Sequence, residues 1–236
     1  MSVTTSALLE LDRDHASPRR TKVAAVLPRV DPARAPLQRL LKRGLDLVLA
    51  SLALVVLAPF LLLVAVVVRL TSPGPALFRQ LRVGQHGRPF QMLKFRSMVV
   101  DAEQLLPLLL TRNERTGPVF KMRRDPRVTR VGSFIRRFSI DELPQLLNVF
   151  RGDMSLVGPR PPVPDEVVRY EAWHLQRLSV PPGLTCSWQV TPDRCEMPFE
   201  QWVLLDLAYI DGWHLGRDLA LLLRTIPAVL SGRGQC

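Results

Sequence analysis

The sequence predicts an α+β fold: a small domain with one β-hairpin and several amphipathic surface helices, anchored by a membrane segment near its N-terminus. Three observations lead there. Residues 47–68, LVLASLALVVLAPFLLLVAVVV, carry no charge and are long enough to cross a bilayer as a helix. ALFRQLRVG (76–84) and FQMLKFRSM (90–98) read as strands on either side of turn chemistry between Gly84 and Pro89, which makes a hairpin. FEQWVLLDLAYI (199–210) and LGRDLALLLRTIPAVL (215–230) place apolar residues at helical spacing.

A chain of 236 residues suits one or two domains and can bury a sizeable core. Its net charge of +11 calls for a polyanionic partner without naming one. Aromatics are few and zinc-finger spacing is absent, so nothing but charge speaks for nucleic acid, and no nucleic acid is expected as a partner. Cys186, Cys195 and Cys236 lack metal-ligand spacing and fit a reducing compartment or inert thiols. His15, His86, His174 and His214 form no metal array.

Residues 1–36 are Pro/Arg-rich and weakly periodic, and read as a flexible leader. LQRLLKRGLD (37–46) alternates apolar and basic residues at helical spacing, which predicts a helix in the headgroup plane. Asp46 is placed to pair with Lys42. Pro59, in the middle of the hydrophobic run, predicts a kink or break near Ala58–Pro59. Lys42 and Arg43 precede the run, Arg69, Arg79 and Arg82 follow it, and the positive-inside tendency keeps both ends in the cytoplasm. Two readings fit: a helix–break–helix that enters and leaves one leaflet, and a single-pass helix with a proline kink. The late start, the length and the lack of a small-residue cleavage site exclude a normal signal peptide.

Ser72-Pro73-Gly74-Pro75 stops the helix. The hairpin then carries Arg79 and Arg82 on its first strand and Lys94 and Arg96 on its second, where residues 94 and 96 share a face of a regular strand. They form a phosphate patch or a solvated charged face. DAEQLLPLLL (101–110) reads as a short helix interrupted at Pro107. In KMRRDPRVTRVGSFIRR (121–137), Asp125-Pro126 marks a turn, and Gly132 opens an amphipathic piece with Phe134 and Ile135 against Arg136 and Arg137. This cationic stretch suits anionic lipid or bound phosphates.

In SIDELPQLLNVF (139–150), Ser139 and Glu142 match a capping box, with Leu143, Leu146, Leu147 and Phe150 as the apolar face. A cap at Asp141 instead puts Pro144 in the first turn, where it is tolerated. Either way Asp141 and Glu142 sit at a helix start, whose N–H groups favour ionised carboxylates. Such carboxylates can attack phosphorus or hold Mg²⁺, and helix neighbours pointing about 100° apart can divide those tasks. Ordinary capping also accounts for an acidic pair there. Asp153 reads as a turn residue. Arg160, stiffened between Pro159 and Pro161, suits bidentate phosphate binding or faces solvent. Pro181-Pro182-Gly183 is a turn and LTCSWQV (184–190) a short strand. Trp202, Tyr209 and Trp213 are membrane-interface anchors or core aromatics. Residues 231–236 form a tail.

Taken in order, KRGLD (42–46), the interrupted hydrophobic run, TSPGPALFRQLRVG (71–84), MLKFRSM (92–98), RRFSIDELPQLLNVFRGDMSLVGPRP (136–161) and PPGLTCSWQV (181–190) resemble the bacterial sugar transferases. These are monotopic phosphoglycosyl transferases that start capsule, exopolysaccharide and glycoprotein glycan assembly. The resemblance covers roughly residues 39–230. It implies a re-entrant helix–break–helix within 37–70, with Lys42, Arg43, Asp46 and Pro59 as membrane-region residues, and a cytosolic catalytic domain over 71–230. It implies placement on the cytoplasmic face of a bacterial inner membrane, in a minimal catalytic form. Mg²⁺ is the implied cofactor, with a UDP-sugar donor and a polyprenyl phosphate acceptor. The implied reaction releases UMP through a covalent aspartyl–phosphosugar intermediate.

By this resemblance Asp141 falls on the nucleophile and Glu142 on its partner in holding Mg²⁺. Arg160 falls on a phosphate-binding arginine, and Lys94 and Arg96 on an active-site block. Arg79, Arg136 and Arg137 join them as substrate-binding candidates. The sugar, the glycan and any homo-oligomer are left open. The sequence departs from the family in having Ala58-Pro59 where many members have Ser-Pro. It also has Pro182 and Cys186 where the family usually has lysine and glycine, which removes one positive charge. Two competing classes are a non-enzymatic membrane-tethered basic protein binding anionic lipid or nucleic acid, and a single-step glycosyltransferase releasing UDP.

Overall fold

A helix of 36 residues, α1 (Pro36–Thr71), opens the described part of the chain. The computed structural model describes residues 36–232 except 115, 116, 193 and 195. The expected leader up to residue 35, the last four residues of the expected tail, Cys195 and Cys236 lie outside the described residues.

The expected break at Ala58–Pro59 does not interrupt α1, which keeps Pro59 inside one continuous helix. Proline there withholds one backbone donor, a loss that apolar membrane helices tolerate. Four residues of α1 are buried, Asp46 and Ala50 in its first half and Val64 and Val68 in its second. Between them Leu52, Val55 and Val56 are exposed. Both halves therefore rest on the same domain.

The KRGLD stretch does the pinning. Lys42 Nζ donates to Asp218 Oδ2 at 2.6 Å and to the Val157 carbonyl at 3.1 Å. Arg43 donates to the carbonyls of Val149 and Phe150 at 2.6 and 2.9 Å. These carbonyls belong to the last turn of α4 (Leu146–Arg151), and that of Val149 also accepts the Gly152 N–H at 3.1 Å. Asp46 accepts the Leu156 N–H at 3.1 Å. The expected Lys42–Asp46 pair is replaced by tertiary partners, and the three side chains bind the domain. An i,i+4 surface pair is worth only about 0.3–0.5 kcal/mol, less than a buried, hydrogen-bonded charge pair can contribute.

The hairpin forms as expected. β1 (Leu77–Val83) pairs antiparallel with β2 (Pro89–Phe95), with Phe78 opposite Lys94 and Arg82 opposite Phe90. A second, parallel sheet joins β3 (Ser155–Val157) to β4 (Gly183–Thr185). β3 lies in a stretch that reads as turns, and the expected strand over 184–190 stops at Thr185 before a 3-10 helix at Trp188–Val190. The crossing beyond these strands is too tight for side chains. A Cβ on Gly183 would lie 2.1 Å from the Gly158 nitrogen, and one on Gly158 would lie 2.4 Å from the Pro181 carbonyl oxygen.

Helix α2 (Ala102–Leu109) runs through Pro107 without the expected interruption. In α3 (Arg130–Arg137), Thr129 caps the start by accepting the Gly132 N–H at 2.9 Å. α5 (Pro164–Val168), α6 (Phe199–Asp211) and α7 (Leu215–Leu230) complete the order. The central core gathers Ala50 of α1, Met92 of β2, Val149 of α4, Val157 of β3, Tyr209 of α6 and Leu221 of α7. A second cluster stacks Trp188 on Trp202, with ring centroids 4.3 Å apart, beside Phe199 and Val203. Trp202 and Tyr209 are thus core aromatics.

Lys42→Ala would leave the buried Asp218 carboxylate without its cation. A loss of about 3 kcal/mol is expected, read as a lower thermal midpoint in detergent. Asp46→Ala, which takes an acceptor from the Leu156 N–H and from the Ser155 side chain, should lose about 1–2 kcal/mol.

Candidate active site

The acidic pair is set by a strained turn. Ser139 adopts φ +53°, a left-handed conformation that a non-glycine residue holds at about 1–3 kcal/mol. The chain then enters a 3-10 helix over Ile140–Gln145 before α4 begins at Leu146. Neither expected cap forms. Ser139 makes no side-chain cap bond, and its carbonyl accepts the Glu142 N–H at 3.1 Å. Pro144 sits in the 3-10 turn. The change of helix type also rotates the expected apolar face: Leu146 and Val149 are buried, whereas Phe150 is 50 % exposed.

The Glu142 carboxylate does not reach back to a cap because two cations hold it. Lys94 Nζ of β2 donates to its Oε1 at 3.0 Å, and Arg160 Nη2 donates to the same oxygen at 2.8 Å. Burial alone would raise its pKa, but Arg160 and then Lys94 more than offset that and hold it well below the usual carboxylate range. Burial pushes the Lys94 ammonium down, with Glu142 opposing. Asp141, 6 % exposed, makes no hydrogen bond or ion pair with its carboxylate among the described residues. Burial raises its pKa, Lys94 opposes, and the neighbouring Glu142 charge raises it further.

Arg160 stands on a braced turn. Gly183 N–H donates to the Pro159 carbonyl at 2.9 Å, and Arg82 Nη1 donates to the Pro161 carbonyl at 2.8 Å. Behind it Arg177, buried, is paired with Asp206 at 2.7 Å and donates to the Tyr170 hydroxyl and to the Arg160 carbonyl. Loops normally carry functional groups on a rigid support, and this one has a support of its own.

Of the expected residues, the fold brings together Asp141, Glu142, Lys94 and Arg160. Arg136, half-buried, also acts on Asp141 through its charge. The other three are not gathered there. Arg96 donates to the Ser72 carbonyl at 2.7 Å and to the Ser72 hydroxyl at 2.9 Å, tying off the end of α1. β2 ends at Phe95, so the alternation that would set Arg96 beside Lys94 stops one residue short. Arg79 is exposed on the other face of the hairpin. Arg137 is exposed, over the Phe138 ring at 5.6 Å.

Arg82, expected on the basic hairpin but not among the substrate-binding candidates, does brace the site. In the hairpin register Phe78, Gln80 and Arg82 share the face of Lys94, so counting in twos from Lys94 selects Arg82 over Arg79. Arg177 and Asp206 lie 29 residues apart, and no local pattern announces them. Asp153 is a turn residue as expected, accepting from Asn148 at 3.0 Å. At the two departures, the Pro182 carbonyl accepts the Ser155 N–H at 2.8 Å, and the buried Cys186 thiol donates to Gln189 at 3.1 Å.

No group of three or more His, Cys, Asp or Glu that could hold a metal occurs among the described residues. Mg²⁺ is commonly bound by one or two carboxylates together with substrate phosphates and water. Asp141 and Glu142 fit that donor set, with Asp141 the freer oxygen donor.

A family model described as bacterial sugar transferase matches residues 37–232. The galactosyl transferase CpsE of Streptococcus agalactiae serotype III is 45 % identical over 193 residues, 82 % of this chain and 43 % of that protein. The exopolysaccharide production protein ExoY of Sinorhizobium fredii is 38 % identical over 221 residues, 92 % of this chain and 97 % of that protein. A UDP-glucose:undecaprenyl-phosphate glucose-1-phosphate transferase of Caulobacter vibrioides is 45 % identical over 198 residues, 80 % of this chain and 70 % of that protein. The chain thus spans less than half the length of the streptococcal relative and nearly all of the rhizobial one.

The raised Asp141 pKa has a stability consequence. The folded protein binds that proton more tightly than the unfolded chain. The contribution is complete below the unfolded carboxylate range and is lost as pH rises through the raised folded value. In metal-free buffer near neutral pH, Asp141→Asn should therefore raise stability by about 1–2 kcal/mol. That gain should vanish when the thermal midpoints are compared below about pH 4.

Proposed function

The chain belongs to the bacterial sugar transferase family, and from that premise we propose that it moves a sugar 1-phosphate from a UDP-sugar to polyprenyl phosphate, releasing UMP. α1 is its membrane anchor, in a bacterial inner membrane, with the rest of the described chain on the cytoplasmic face. The observation that carries the reading is the unequal treatment of two adjacent carboxylates. Glu142 is clamped by Lys94 and Arg160, while Asp141 is buried beside it with no donor engaging it.

An unengaged carboxylate can act as a nucleophile, since no hydrogen bond must break before it attacks. In the proposed first step an Asp141 oxygen forms a bond to the β-phosphorus of the donor. The bond from that phosphorus to the bridging oxygen breaks, and UMP leaves with the electron pair. In the second step a phosphate oxygen of the lipid acceptor bonds to the same phosphorus. The aspartyl–phosphate bond breaks, giving polyprenyl diphosphate sugar and restoring Asp141. The acceptor oxygen is already largely anionic near neutral pH, so no histidine base is needed.

Lys94 and Arg160 offset the charge that accumulates on phosphate oxygens in both steps, and Arg82 holds the Arg160 turn in place. Mg²⁺, held by Asp141 and Glu142 with the substrate phosphates, would supply neutralisation of the developing anionic charge. The activity in the name of the Caulobacter relative supports this reaction class. The relatives' names differ in the sugar, galactosyl in one and glucose in another, so the proposal stops at a UDP-sugar.

Purified protein incubated with labelled UDP-sugar and no lipid acceptor is expected to release UMP and retain the label. Asp141→Asn should do neither. Arg160→Ala should slow release by about 10²–10³-fold, and chelation should abolish release until Mg²⁺ is restored. Release of UDP in place of UMP, or normal turnover by Asp141→Asn, would sink the covalent mechanism.

A further inference from the structure

An open apolar groove of about 380 Å³ runs between the second half of α1 and the amphipathic α3. That volume falls within the range of about 300–1,000 Å³ usual for ligand clefts. Phe60 and Val67 supply one wall, Val131 and Phe134 the other, and Ile140 joins them. Arg130 is the one charged residue along it. Three features define its occupant. One wall belongs to the membrane anchor, so the groove opens where acyl and isoprenoid chains are. Its lining offers almost nothing for a nucleotide or a sugar to hydrogen-bond. Ile140 is the residue before Asp141, so the groove ends one residue from the acidic pair.

We propose that this groove seats the first isoprene units of the lipid acceptor and so delivers its phosphate to Asp141. The inference rests on the reaction proposed above and adds a binding site to it. Donor and acceptor then approach the same phosphorus from different media, the nucleotide sugar from water and the phosphate head from the bilayer. Phe134 is 59 % exposed although apolar, so its ring is free for contact with a chain lying in the groove.

The test fills the groove without touching the acidic cluster. Val67 lines it and is 38 % exposed, so Val67→Trp adds bulk to the groove without overpacking the core. Val66, 46 % exposed on the same helix and absent from the lining, provides the control Val66→Trp. With undecaprenyl phosphate as acceptor, Val67→Trp should raise KM roughly tenfold, the equivalent of about two methylenes left without their contacts. UMP release in the absence of acceptor should stay at the wild-type level. Val66→Trp should change neither quantity.

An unchanged acceptor KM in Val67→Trp with normal UMP release would overturn the groove alone. So would equal rises in both variants, which would mean that the bilayer-facing surface of the helix is being felt. Absence of UMP release from the wild type would overturn the reaction and the groove together.

Discussion

One buried carboxylate organises the site. Glu142 takes a hydrogen bond from Lys94 on the hairpin and another from Arg160 on the 159–162 turn. Removing both cations would leave an unpaired charge in a region of low polarity, which is among the larger penalties substitution can impose. The strained Ser139 turn is tolerated because it delivers Glu142 to those two partners. The same turn leaves Asp141 next to them, buried and unengaged. Asp141 is thus placed by the stability of its neighbour.

The rest of the fold supports that cluster from two directions. From behind, the Arg177–Asp206 pair and Arg82 fix the backbone that carries Arg160, and the tight crossing of Gly158 and Gly183 fixes where that backbone leaves β3. From the membrane side, Lys42, Arg43 and Asp46 fasten α1 to α4, β3 and α7. α4 is the continuation of the segment that carries the acidic pair. A link of side-chain hydrogen bonds therefore runs from α1 to the segment that carries the acidic pair. Preorganisation of this kind suits a reaction in which a lipid-bound phosphate must meet a soluble donor.

Several parts of this were legible from the residues alone. The hairpin was, because period-two alternation around Gly84–Pro89 admits few other structures. The anchor was, because an uncharged run of that length has few stable settings outside a bilayer. The acidic pair and Arg160 were singled out by their surroundings: carboxylates among cations, and a guanidinium between prolines. Other expectations failed for reasons that local pattern does not contain. Pro59 and Pro107 stayed inside continuous helices, each giving up one backbone donor that the rest of its helix and its packing outweigh. The capping box at Ser139 and Glu142 gave way because the glutamate found stronger partners 48 residues before it and 18 after it.

By itself, then, the sequence determined the classes of element and the inventory of chemistry: a membrane helix, a hairpin, a cationic domain and two adjacent acids. Those follow from hydropathy, periodicity and charge, which act within a few residues. Tertiary structure decided which of the many cations serve the acids. Lys94 and Arg160 reach Glu142, while Arg96 closes the end of α1, and Arg79 and Arg137 remain at the surface. That selection depends on where strands end, on which face a register presents and on which buried charge needs a partner. Each is settled only when distant segments pack, because only then does burial make an unpaired charge costly.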